Sequence, residues 1–212
     1  MKRIDALIES INGYDTVIDI GCDHGFVLKG ALDKGYIVQG IAVEVNEKPL
    51  QNAINNLTGY NVKFCLSNGF DKVNEHYDAV VLAGMGFHLI QEIILKEKIN
   101  PLAEFIIASQ NKIMPLRQWL FDNNFMIIDE MLAYEELFYP IIKVKRGKPN
   151  FNESDFLVGP LLKTKKSSLP YYQYLLAHYQ TLVVKQPQPL QQETQKLIKT
   201  LNLAIKSLSK NN

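Results

Sequence analysis

At 212 residues, with 47% hydrophobic side chains and a formal net charge of +1, the chain can bury one sizeable core but hardly two full domains. Its two cysteines, Cys22 and Cys65, form neither the dense framework of a secreted domain nor a C-x-x-C pair, so a reducing cytoplasm is the expected setting. No run approaches the roughly 20 apolar residues that span a bilayer, and "MKRIDALIESI" mixes charge with apolar residues, so neither export nor a membrane is expected.

Five apolar runs follow in order: "TVIDI" at 16–20, "IVQGIAV" at 37–43, "VKFCL" at 62–66, "DAVVLA" at 78–83 and "EFIIAS" at 104–109. Helix-like stretches at about 26–34, 46–57, 87–97 and 113–123 separate them. Uninterrupted apolarity marks strands covered on both faces, and the alternation predicts an α/β fold with a doubly wound, mostly parallel, Rossmann-like sheet that binds ligands at its strand C-termini. "FMIIDEMLAY" at 125–134 and "LFYPIIKVK" at 137–145 lie too close together for a crossover and predict an antiparallel pair at the sheet edge.

After "RGKPN", residues 146–150, the period changes. Tyr172, Leu175, Tyr179 and Leu182, then Leu190, Leu197, Leu201 and Leu208, mark two amphipathic helices, and "KQPQP" at 185–189 interrupts them. The expected division is 1–150 for the sheet domain and 151–212 for a helical, coiled-coil hairpin. Charge divides near the same place: residues 1–142 hold 11 lysines and arginines against 19 acids, a net −8, and residues 143–212 hold 12 against 3, a net +9. A basic tail can clamp a polyanion, or it can simply be a solvated surface.

The first strand ends in "DIGCDHG". A dinucleotide site would carry G-x-G-x-x-G there; instead Cys22, Asp23 and His24 separate Gly21 from Gly25, and Asp23 would repel a diphosphate. A cofactor with a cationic centre, such as S-adenosylmethionine, suits Asp19 and Asp23. Glu44, with Val45 behind it, ends the second strand; Asn68 and Gly69 follow the third; Ala83, Gly84, Met85 and Gly86 follow the fourth. Singly, these read as caps, a turn and a core filler. Together, at successive strand tips, they point to one ligand. His24 either positions the substrate or caps the next helix; His88 opens a helix, and His76 and His178 read as surface residues. Phe87, Trp119, Phe138 and Tyr139 are candidates for a base-stacking platform and equally for packing.

The set "DIGCDHG", "AVEVNEKPLQNAINN", "SNGF", "DAVVLAGMG" and "LRQWL" resembles the bacterial TrmK family of tRNA (adenine-22-N1)-methyltransferases over about residues 3–125. "FYPII" and "LVGPLL" are similar to later landmarks of that family. The resemblance implies a class I S-adenosylmethionine-dependent fold, methylation of adenine N1 in tRNA, and a C-terminal hairpin that helps to hold the tRNA. It implies a cofactor set of Asp19, Gly21, Cys22, Asp23, Glu44, Val45, Asn68, Gly69, Ala83, Gly84, Met85 and Gly86. In the reaction Asp23 would be an electrostatic partner or proton acceptor, His24 would position, and Met85 with its glycines would hold donor and base together. Arg3, Arg117, Lys143, Lys145, Arg146, Lys163, Lys165, Lys166, Lys196 and Lys199 are the expected RNA contacts, Arg3 and Arg117 reading equally as partners of the cofactor carboxylate or as surface ion pairs, with no metal and a monomer. The chain departs from the pattern at Asn68, where an acid is usual, at Phe87 in place of a glycine, at Ala42-Val43, and at Ser109–Asn111, a loose match to Q-P-N. A small-molecule methyltransferase, or an RNA-binding module without turnover, are the rival readings.

Overall fold

The computed structural model describes residues 1–109 and 112–210, so Gln110 and Asn111 of the loosely matching tripeptide lie outside the described residues. Seven strands form one sheet: β1 (Thr16–Ile20), β2 (Gln39–Glu44), β3 (Val62–Leu66), β4 (Ala79–Ala83), β5 (Glu104–Ala108), β6 (Phe125–Glu135) and β7 (Leu137–Arg146). Their order is β3-β2-β1-β4-β5-β7-β6, parallel through β5, with β7 antiparallel to both β5 and β6. The expected edge pair is therefore present, and the later strand takes the inner place. Its one-residue link, Glu136, turns the chain in the left-handed region at φ +59°.

Alternate strand residues divide between two apolar layers, which is why the runs read as continuous. Ile18, Ile41, Val80, Leu82, Phe105 and Ile107 pack with Ile90 and Ile94 of α4 (Phe87–Lys96) and Leu116 and Leu120 of α5 (Ile113–Asp122). Val17, Ala42, Val81 and Ile106 pack on the other face with α1 (Arg3–Ser10), α2 (Phe26–Asp33) and α3 (Glu47–Asn56). Helix α1 is an addition to the expected elements. Leu7, Ile8 and Ile11 recur at helical spacing and are buried, and its N-terminal end abuts β6, where Tyr134 N–H donates to the Met1 carbonyl at 3.0 Å.

Past β7 the chain makes a one-turn helix, α6 (Asp155–Val158), two 3₁₀ turns, and then α7 (Leu169–Val183) and α8 (Gln188–Lys210). The helix break falls at 184–187, so Pro189 opens α8, where its missing N–H costs nothing. Gln186 secures the bend: its side-chain oxygen accepts from Thr194 Oγ at 2.6 Å and its carbonyl from Gln191 Nε2 at 2.8 Å. Leu157, Val158, Leu162, Tyr171, Tyr172, Leu201 and Leu208 make a third core, so α8 returns to pack on the segment before α7.

Arg117 ties this third core to the sheet. Expected to reach RNA, it is instead fully buried beside an equally buried Glu130, with Nε donating to Oε1 at 3.0 Å and Nη2 at 2.8 Å from the same oxygen without hydrogen-bond alignment. Nη1 donates to the carbonyls of Phe156 and Leu157 at 2.9 and 3.1 Å, while Glu130 Oε2 accepts from the N–H groups of Leu161 and Leu162 at 2.9 and 3.1 Å. At Gly159 any Cβ would lie 2.6 Å from both Arg117 Nη2 and Glu130 Oε2, so "LVGPLL" needs its glycine to admit the pair. Arg117→Ala, which strands the buried carboxylate, is expected to cost about 3–5 kcal/mol in denaturant unfolding.

Candidate active site

The strand order reverses between β1 and β4, and a cleft of about 310 Å³ opens there. Asp19, Gly21, Cys22, Asp23, His24, Ala83 and Gly84 line it, together with Arg3 and Leu7 from α1. The loop after β1 is bent by three left-handed residues, Gly21 (φ +77°), Asp23 (φ +48°) and Gly25 (φ +70°), and the N–H groups of Gly21 and Cys22 both donate to the Val43 carbonyl, at 2.9 and 3.1 Å. Asp23, a residue type that tolerates this region at about 1 kcal/mol, is thereby held with its carboxylate exposed.

The glycine at 21 is set by contact as well as by φ. An added Cβ would lie 3.2 Å from Met85 Cε, so the loops after β1 and β4 touch there. Met85 and Gly86 also line an adjoining cavity of about 380 Å³ with Phe87, His88 and Lys112. Glu44 is buried at the tip of β2, where Oε1 accepts from the N–H groups of Val45 and Asn46 at 2.9 and 3.2 Å. The Glu44 carbonyl accepts from Ser67 N–H at 2.9 Å, which holds the loop bearing Asn68 and Gly69 against it. Val45 and Asn68 are themselves exposed.

Asp19 faces this cluster from β1. Burial, reinforced by the charge of Glu44, pushes its carboxyl up to about 7. Burial and then the two carboxylates push the Cys22 thiol up as well, so it is no nucleophile. His24 stacks on Phe26 with centroids 5.3 Å apart, and its Nε2 lies 3.7 Å from Asp23 Oδ1. The N-cap of α2 is Gly25, so His24 does not occupy the capping position. Arg3 lies at the cleft wall with its guanidinium 5.4 Å from the Tyr139 ring centre and its Nε buried without a partner. Its helix went unread, although Ile4, Leu7, Ile8 and Ile11 carry the i, i+3, i+4, i+7 signal.

The remaining basic residues are scattered. Because β7 runs against the parallel strands, Lys143, Lys145 and Arg146 fall toward the edge opposite the cleft. Lys143 sits 4.9 Å over the Tyr14 ring, and Arg146 lies over Phe125 and 3.5 Å from Glu97. Lys163 is paired with Asp155 and Lys165 with Asp129, both lysines remaining partly exposed, and Lys166 also has a partner. Helix α7 contains no lysine or arginine. Lys196 and Lys199 are exposed on α8 and, with Lys206 and Lys210, fall within about 80° of helix circumference, opposite Leu201 and Leu208. Trp119 stacks on Phe125 in the core. No group of three or more His, Cys, Asp or Glu side chains suited to a metal occurs among the described residues, and no described helix is long and apolar enough to cross a membrane.

The family model for TrmK, tRNA (adenine(22)-N(1))-methyltransferase, matches residues 17–210. The chain belongs to this family. It is a methyltransferase acting on N1 of adenine 22 in tRNA. A Mycoplasma genitalium chain named provisionally as a tRNA methyltransferase is 32% identical, with 97% of each chain covered. The tRNA (adenine(22)-N(1))-methyltransferase of Bacillus subtilis is 25% identical over 92% of this chain and 90% of its own. In fold the chain is similar to M. capricolum TrmK, solved in complex with S-adenosyl-homocysteine, with a TM-score of 0.81 at 23% identity and 97% of each chain covered. The TrmK signature thus lies on the cleft between β1 and β4.

Asp19 holds its proton in the folded chain to about pH 7 but ionises near 3.8 when unfolded. The stability it contributes is complete below 3.8 and is lost as pH rises to 7. Asp19→Asn is expected to gain on the parent chain across that window, by an amount on the order of 1–4 kcal/mol that is constant above it, in thermal melts without ligand.

Proposed function

We propose that S-adenosylmethionine occupies the β1–β4 cleft, held by Asp19, Glu44 and the loops at Gly21–Asp23, Asn68–Gly69 and Ala83–Gly86. The observation that carries this is the buried acid pair: Asp19 lines the cleft, buried Glu44 is near enough for its charge to act on Asp19, and a ligand bearing positive charge and hydroxyl groups relieves both. The orphaned Arg3 Nε at the same wall supports the cofactor carboxylate, of the two partners expected for Arg3, over the RNA backbone.

When bound, this cofactor supplies an electrophilic methyl on a cationic sulfur. The chain's part is alignment, because adenine N1 offers its lone pair without prior deprotonation. The Gly84–Gly86 backbone and the Met85 side chain, against Gly21, form the wall along which the target base must lie. Exposed Asp23 faces the base as positive charge develops on it, and can accept the proton the methylated ring gives up. Ala-Gly-Met-Gly offers no side-chain acceptors for the exocyclic amine, which favours the ring nitrogen as the methylated atom.

The tRNA is drawn to the lysine face of α8, the part of the C-terminal segment that presents unpaired positive charge. Lys196→Ala/Lys199→Ala is expected to flatten the dependence of log Kd on log salt by about 2 units in tRNA titrations, with cofactor affinity unchanged. Glu44→Gln is expected to weaken S-adenosylmethionine binding by about 10- to 100-fold in calorimetry. Incubation with unmodified tRNA and labelled donor, followed by digestion to nucleosides, should yield 1-methyladenosine; label recovered on the exocyclic nitrogen would overturn the assignment of the atom.

A further inference from the structure

A second groove, of about 430 Å³, lies between the start of β7 and α7. Phe138 and Tyr139 form one wall; Tyr171, Tyr174 and His178, spaced three and four residues apart on one face of α7, form the other. Phe138 packs at 5.5 Å from Tyr171 and 5.6 Å from Tyr174, yet Tyr174 remains 46% exposed. Among the described residues no acidic side chain lines the groove, in contrast to the cleft containing Asp19 and Asp23. Lys112 lines both this groove and the cavity at Met85 and Gly86, so the two are neighbours across that side chain.

The target's N1 lies on the base-pairing edge, so the adenine must leave its stack to reach the methyl donor. Its neighbour in the strand then loses a stacking face. Resting on the reading that the target meets the Gly84–Gly86 loop, we infer that the groove takes the nucleobase adjacent to the target, stacked on Tyr174, with Lys112 at the intervening phosphate. An aromatic platform with a cation and no acid suits an unstacked base of any identity, which makes this a positioning site rather than a sequence reader.

Tyr174→Ala in the full chain is expected to raise the KM for tRNA by about 5- to 100-fold while leaving S-adenosylmethionine affinity unchanged. Tyr174→Trp should restore it. With 2-aminopurine placed in the tRNA on either side of adenine 22, one position should be quenched on binding by the parent chain and bright with Tyr174→Ala. A parent-like KM in Tyr174→Ala, or a loss that Trp does not restore and that leaves 2-aminopurine emission unmoved, overturns the inference and leaves the cofactor reading standing. Failure of the parent chain to bind S-adenosylmethionine overturns that reading and this one together.

Discussion

A guanidinium and a carboxylate are held out of water between α5 and β6, where the backbone of residues 156–162 meets Arg117 Nη1 and Glu130 Oε2 and leaves Nη2 to the ion pair alone. The Arg117–Glu130 pair therefore works as a mould more than as a source of stability, since a well-packed apolar pair would serve the latter as well. It dictates a turn tight enough to exclude any side chain at position 159, and that turn delivers Val158 and Leu162 to the third core. From there Tyr172 Oη donates to the Val158 carbonyl at 2.7 Å and fixes the start of α7. The aromatic face of α7 meets Phe138 because of this chain of contacts, all of which begins at one buried ion pair.

The molecule has to receive ligands of opposite charge a short distance apart. A crevice of carboxylates attracts a cation and repels phosphate; a lysine face does the reverse. The fold meets both needs by burial and distance. Asp19 and Glu44 are almost out of water at strand tips, whereas Lys196 and Lys199 project from the far face of α8. The Met85 cavity and the aromatic groove carry little charge beyond Lys112.

The strands were legible from the sequence because burial on both faces writes an unbroken apolar run, and β1 and β3 end at the expected residues. The glycines and acids at their tips were legible because a parallel sheet places successive strand ends side by side. Arg117 was not, since the partners that bury it are 13 residues away on β6 and about 40 away in the α6 turn. No local pattern announces them. The charge division near residue 142 follows composition and not the fold, since Lys143, Lys145 and Arg146 lie on β7 of the sheet, within the expected 1–150 unit. Within the hairpin, α7 carries no lysine or arginine, so the basic charge of its helices lies on α8.

The cleft is the part of the fold that works against folding. Asp19 interrupts an otherwise apolar strand, Glu44 raises the cost of ionising it, and Asp23 occupies a backbone region that most residues avoid. These costs concentrate where the β1 and β4 loops touch at Gly21 and Met85, and the two apolar layers beneath offset them. A site optimised for the empty protein would replace Asp19 with a neutral residue and relax the loop, at the expense of the charge that the proposed sulfonium occupant would meet. On that proposal, binding returns to the folded state what the buried acids withhold from it.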